Sequence, residues 1–441
     1  MSKKDDSFKD ILKKSGASGI VKVVGIIASL ASSILIAKYA GAEAIGLIET
    51  SIKFTSILGI FCMLGMRQII IREIAISLND KKLSDNSSQL LFSVKFINII
   101  FTLLISVLLI YLTPIFLNET AIKSQLITPL TIFIGCLVPQ IYLQIKGAEL
   151  IGNKKIWQGN LTEKAAHMIL TLVFLLILIN QGFDITVENI AFCFLFSWAS
   201  VAIFALLFLN KKYTSPNLKA SKRINTWKLN TSFYKDAPPL FISGLSSIIT
   251  TSCTIVILAI YIEPFQVGIY SIAAKLALLT SLILMILNNV VSPNIAQLYN
   301  QKNILGLKRV IYNLNKLLIL IAVASTLLIF IFGKTILSVW GEEFIEGYIL
   351  LLILAFGQFI NMCTGSVGVI LVMTRNQDIL GKITFSMAAL IIILNLVIIP
   401  SYGTLGAALV YSFVVSFENL LKLIFIKRKL GINPLNIFEK I

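Results

Sequence analysis

The run LTLVFLLILI, residues 170–179, decides the fold class. Its side chains do not alternate, as a barrel strand's must to face lipid on one side and a polar lumen on the other. A chain inside hydrocarbon has to satisfy its own backbone N–H and C=O groups, so a continuous apolar run there is a helix. Worked outward, the apolar stretch extends over about 163–180. That approaches the ~20 residues a helix needs to cross a ~30 Å hydrocarbon core.

The same reading along the chain gives twelve spans. They lie at about 18–38, 44–66, 90–112, 125–145, 163–180 and 189–210, then 237–260, 268–291, 314–333, 348–372, 381–399 and 405–426. Composition demands them, since 57% of the 441 residues are apolar and only 13% are charged. Soluble domains carry about 25% charged residues, so a soluble fold of this size would lack the charge to cover its surface. The longest polar stretch, Lys211 to Asp236, divides the spans six and six. The expected architecture is all-α and polytopic. An N-terminal six-helix lobe covers 1–210, a cytoplasmic linker 211–236, a C-terminal six-helix lobe 237–426 and a cytoplasmic tail 427–441.

Lys and Arg set the orientation. Alternate loops and the two tails hold 28 of them on one side, and only Lys123 and Lys334 fall on the other. Both termini are therefore expected in the cytoplasm. The net charge of +17 becomes mainly a topology signal, with attraction to anionic head groups as its secondary effect. A nucleic-acid partner is not expected, because no loop exceeds 26 residues. No cleavable signal peptide is evident in MSKKDDSFKDILKK. Phe8, Ile11 and Leu12 share a face opposite Lys9, Lys13 and Lys14, which fits either a surface helix or a solvated tail.

A shift of 222 residues superposes Tyr39 on Tyr261, Gly46 on Gly268 and Lys53 on Lys275. Each copy sits at the first outer loop of its half and enters the second helix. With six helices per half the copies run in the same direction, so the repeat axis would lie along the membrane normal.

Eight lysines fall in spans. Lys38, Lys95, Lys164, Lys316 and Lys422 lie near span ends, from which a long side chain snorkels to water. Lys22 is four residues in. Lys53 and Lys275 are the deepest, ~13 Å and ~10 Å from the outer ends of their helices at 1.5 Å per residue. Ionisable groups at such depth usually face a water-filled cavity or a partner. For Lys53 the partner would be Glu49, four residues earlier; Lys275 has Ser271 and Leu279 at those offsets. Glu418 and Lys422 repeat the arrangement, as an ion pair or a proton or cation site. Glu49 and Glu418 are thus the two acidic candidates for ion coupling.

Catalytic and cofactor signatures are missing. Cys62, Cys136, Cys193, Cys253 and Cys363 sit in apolar runs at no metal-ligand spacing. His167 is the sole histidine and is expected as a satisfied interfacial residue. Gly333-Lys334-Thr335 lacks the earlier glycine of a phosphate loop, since residue 328 is leucine. The expectation is no enzyme, no metal and no cofactor.

The second half carries a resemblance. DAPPLFISGLSSIITTSCTIVILAIYIEPFQVGIYSIAAKLALLTSLILMILNNVVSPNIAQLYN, residues 236–300, is similar to the seventh and eighth helices of polysaccharide flippases. NLVIIPSYGTLGAALVYS at 395–412 resembles their last helical hairpin, and YAGAEAIGL and LGMRQIIIREIA resemble the first hairpin and the basic loop after it. The family is the Wzx-type O-antigen and polysaccharide-unit flippases of the multidrug/oligosaccharidyl-lipid/polysaccharide exporter superfamily. The resemblance implies two lobes around a central cavity in a bacterial inner membrane. It implies undecaprenyl-pyrophosphate-linked oligosaccharides as substrate, with membrane lipids, a polysaccharide polymerase and a chain-length regulator as partners. Lys22, Lys53 and Lys275 would be the cavity cations facing the pyrophosphate. A cation-coupled multidrug exporter of the same superfamily is the alternative, and would favour deep acidic residues over deep lysines. A membrane polymerase or acyltransferase would want a large outer loop or clustered His, Asp or Arg.

Overall fold

The computed structural model describes residues 2–77, 81–117, 124–209 and 232–435. Most of the linker (211–231), Lys123 and the tail beyond 435 lie outside the described residues, as do the side chains of Phe8, Ile11 and Leu12. Every regular element among the described residues is a helix. The chain forms two compact units, Met1–Leu245 and Ser246–Ile441.

Ten described helices are long and apolar enough to cross a bilayer. Two of them are too long for one crossing. Ser18–Met63 has 46 residues and Gln377–Leu430 has 54. A straight helix of that length would run ~70–80 Å, more than twice the hydrocarbon thickness. Each is broken at a glycine, Gly41 (φ 76°, ψ −179°) and Gly403 (φ 55°, ψ −138°). Gly41 occupies a backbone region open essentially to glycine alone, because a Cβ there meets the carbonyl oxygen. The chain reverses at both points. Lys22 lies within electrostatic range of Arg67, and Met387 and Ile391 pack into one core with Val410 and Val414. Ten helices thus make twelve crossings, and they coincide with the expected spans to within a few residues, apart from longer ends.

One expected span differs in kind. Residues 348–372 form two helices, Tyr348–Thr364 and Val367–Met373, separated at Gly365 and Ser366. Asn315 bridges this break. Its side-chain N–H group donates to the Cys363 carbonyl at 3.0 Å and to the Pro434 carbonyl at 2.7 Å. A carbonyl freed by an interrupted helix must find another donor when buried.

Apolar residues are sorted by unit. In the first unit Cys62, Met66, Ile69, Ile70, Leu90, Val94, Ile141 and Ile145 close a core. In the second, Ile295, Leu307, Ile311, Ile370, Leu371, Ile426 and Ile432 do so. Other large apolar side chains remain exposed, including Leu103, Leu104, Val107 and Leu108 on one helix and Leu327, Leu328, Phe330 and Ile331 on another. Contiguous exposed apolar surface on this scale belongs against hydrocarbon.

Candidate functional site

The repeat positions have matching environments. Tyr39 and Tyr261 are exposed, Gly46 and Gly268 are buried, and Lys53 and Lys275 are half-buried. Glu49, one turn before Lys53, is buried. Lys53 stands in the helical segment after Gly41, and Lys275 in the helix Pro264–Thr280. Glu418 is buried and accepts a 2.6 Å ion-paired hydrogen bond from Lys422. The expected snorkelling residues divide accordingly. Lys38, Lys164 and Lys316 are exposed, whereas Lys422 spends its charge on Glu418 and Lys95 reaches Glu149 at 3.3 Å. A carboxylate within reach competes with interfacial water for an ammonium.

Lys22 belongs to a larger assembly. The second span ends at Met63, where the side-chain N–H group of Asn98 donates to the Cys62 and Met63 carbonyls at 2.9 and 3.1 Å. Tyr234 donates its hydroxyl to the other end of the same Asn98 side chain. The chain turns through Leu64 and Gly65, both at positive φ, and starts a new helix at Met66. Arg67 therefore falls in the first turn of that helix. Its guanidinium makes a two-pronged contact with Glu163, Nε to Oε1 at 2.7 Å and Nη2 to Oε2 at 2.8 Å. Burial opposes the charge on Arg67, but the hydrogen bonds and field of Glu163 outweigh it and hold the guanidinium pKa above its ordinary value. Lys22 sits within electrostatic range of Arg67, Lys164 and Glu163.

Local backbone geometry fixes the carboxylate. Glu163 lies in a π-helical turn, Leu161–Ala165, inserted between the helices Ile156–Asn160 and Ala166–Asn180. Helices crowd it from two directions. A Cβ at Gly147 would fall 2.9 Å from the Glu163 Cβ, and one at Gly25 would fall 3.0 Å from the Ala165 Cβ. The Asn160 side chain also donates to the Ser18 hydroxyl at 2.5 Å, tying the first span to the fifth.

A second charged group was invisible to the span count. Lys146, assigned by sequence to a loop, is inside the helix Leu137–Gly152 and fully buried. Its Nζ lies 3.0 Å from Glu149 Oε1, and Lys95 takes the other oxygen. The spacing KGAE, which sets both charges on one helical face, was the available signal. His167 also departs from expectation. It is buried and stacked on Trp198, with ring centroids 3.7 Å apart, and its Nδ1 has no hydrogen-bond partner, so it is not fully satisfied.

The described residues contain no group of three His, Cys, Asp or Glu placed to hold a metal ion. Gly333, Lys334 and Thr335 lie inside the helix Ile304–Ser338, where they form no loop around a phosphate. In the second unit, polar groups within the spans pair with one another. Asn395 donates to Thr254 at 2.9 Å, and Gln358 bridges Tyr411 and Asn361.

Residues 11–299 match the family model described as polysaccharide biosynthesis protein. A capsular polysaccharide biosynthesis protein of Staphylococcus aureus, CapF, is 26% identical over 246 residues, which are 55% of this chain. The match spans 60% of that relative's length. Among solved structures, an inward-facing multidrug resistance MATE family transporter of the MOP superfamily superposes with a TM-score of 0.70 at 13% identity, over 94% of this chain and 98% of that one. The lipid II flippase MurJ, in an inward closed conformation, also gives 0.70, at 15% identity over 94% and 87%. At such identities the likeness establishes the fold these proteins share.

Proposed function

The chain belongs to the polysaccharide biosynthesis protein family, and on that premise we propose that it is a flippase for undecaprenyl-pyrophosphate-linked oligosaccharides. It moves the units of a surface polysaccharide, O-antigen or capsule, from the inner to the outer leaflet of a bacterial cytoplasmic membrane by alternating access. The observation that carries this reading is the sign of the charge within the spans. Lys22, Lys53 and Lys275 are half-buried there, while Glu149, Glu163 and Glu418 are each engaged by a cation. A lipid-linked pyrophosphate keeps its tail in hydrocarbon and must lose hydration from its head, and fixed cations replace that hydration. These three carboxylates are already occupied by cations, which does not suit a cationic drug, so the multidrug alternative ranks second. Similarity to a capsular polysaccharide protein supports the same substrate class, with the polymerase and chain-length regulator as functional partners.

Deletion of the gene is expected to trap lipid-linked units in the cytoplasmic leaflet. In vesicles, flipping is expected to fall on collapse of ion gradients and to ignore ATP, with Glu49 and Glu418 as candidate coupling groups. Strict ATP dependence of the purified protein would exclude this mechanism. Orientation is tested separately. Reporter fusions after Lys212 and Lys429 are expected to read cytoplasmic and one within 341–347 periplasmic. A periplasmic signal at Lys212 would overturn the assigned topology.

A further inference from the structure

Cations from three segments of the first unit gather around one ion pair, Arg67 with Glu163. Arg67 grips Glu163 with both prongs, and Lys22 lies within electrostatic range of that pair and of Lys164. Among the described residues the group carries two more positive charges than negative. Exposure is graded: Glu163 is 5% exposed, Arg67 is 30%, and Lys164 is open.

Packing constrains the carboxylate more than the cation that grips it. Glu163 is set in a π-helical turn and pressed by Gly147, so its backbone cannot follow a ligand. π-Helical turns inside helices recur at functional sites. Arg67 approaches on a long flexible stem. A guanidinium fork that fits a carboxylate also fits a phosphate. A phosphate arriving from the exposed side can therefore draw Arg67 away from Glu163 without moving a helix.

We propose that Lys22, Arg67 and Lys164 form a loading site for the pyrophosphate head group, and that Glu163 is its resident counter-ion, displaced on loading and re-engaged on release. This rests on the flippase reading above and adds to it where the head group first binds. The role of Glu163 follows from electrostatics. Three cations facing one head group without a competitor would hold a pyrophosphate too tightly to pass it on. A fixed carboxylate that competes for Arg67 lowers that affinity and offers the guanidinium a partner when the phosphate leaves. Glu163 is thus a positioning residue that acts through Arg67.

The test is a sign difference. Full-length protein in detergent would be titrated calorimetrically with a short-chain prenyl pyrophosphate and, separately, with inorganic pyrophosphate. Removing the competitor in Glu163→Gln is expected to tighten prenyl pyrophosphate binding roughly tenfold, and Arg67→Gln to weaken it by a similar factor, the scale of one charge-assisted hydrogen bond. Arg67→Lys, which keeps the charge and loses the fork, is expected to fall between Arg67→Gln and the parent. It carries the test if Arg67→Gln fails to fold. Glu163→Gln should also slow release in single-turnover flipping, a change that a merely structural pair would not produce.

Affinity that is unchanged in both variants, or lowered in both, would overturn the counter-ion role while leaving the flippase reading intact. A parent protein that binds no prenyl pyrophosphate would overturn both. Equal affinity for inorganic pyrophosphate would assign the site to free phosphate and remove it from lipid loading.

Discussion

Lys275→Gln is expected to lose most polysaccharide export at matched protein levels, while Lys275→Arg retains a substantial part. Lys275 is half-buried in the helix Pro264–Thr280. Its head lies where the effective dielectric is below that of water, so its attraction for a pyrophosphate exceeds that of a surface lysine. Losing one charge-assisted contact to substrate corresponds to roughly 10- to 100-fold in rate at limiting substrate. Charge therefore matters more than shape, which the arginine variant isolates. Lys53, its repeat equivalent, needs a different design because Glu49 is buried one turn away. The double change Glu49→Gln with Lys53→Gln separates substrate binding from neutralisation. A double variant with parental export would confine Lys53 to a structural role. Full export by Lys275→Gln would remove the cation argument for this helix.

Glu149→Gln is expected to be the most destabilising single charge removal in the first unit. Lys146 is fully buried and Glu149 nearly so, and the carboxylate is shared with Lys95. Removing one member of a buried pair leaves an uncompensated charge, at a cost of about 3–5 kcal/mol. The expected result is a marked fall in the thermal unfolding midpoint in detergent, with loss of protein from the membrane fraction. Adding Lys146→Met should restore much of the loss. The remaining cation, Lys95, is 29% exposed and can turn toward water. If Glu149→Gln unfolds at the parental temperature, the triad contributes nothing to the fold.

These two experiments probe charges that the amino-acid order reveals to different degrees. Lys53 and Lys275 were legible because depth within a span is a matter of counting residues, and the 222-residue repeat marks them together. Glu418 with Lys422 was legible because both partners lie on one helix, one turn apart. Lys146 was misplaced into a loop because a hydropathy reading closes a span at its first charge. It could not know that Glu149 and Lys95 extend the tolerable length of helix Leu137–Gly152. Arg67 and Glu163 lay outside any local pattern, 96 residues apart.

The sequence by itself determined the class, the number of crossings and their positions. Each of those depends on a property of one segment, the transfer of a continuous apolar helix into hydrocarbon, which needs no tertiary partner. Only the tertiary structure decided which charges meet. Lys22, Arg67, Glu163 and Lys164 are brought together by the reversal at Gly41, the turn at Leu64 and Gly65, and the close approach of Gly147 and Gly25. An ion pair between helices depends on the packing of small residues that no one segment specifies. The sites where this protein would hold an anion are therefore properties of the fold.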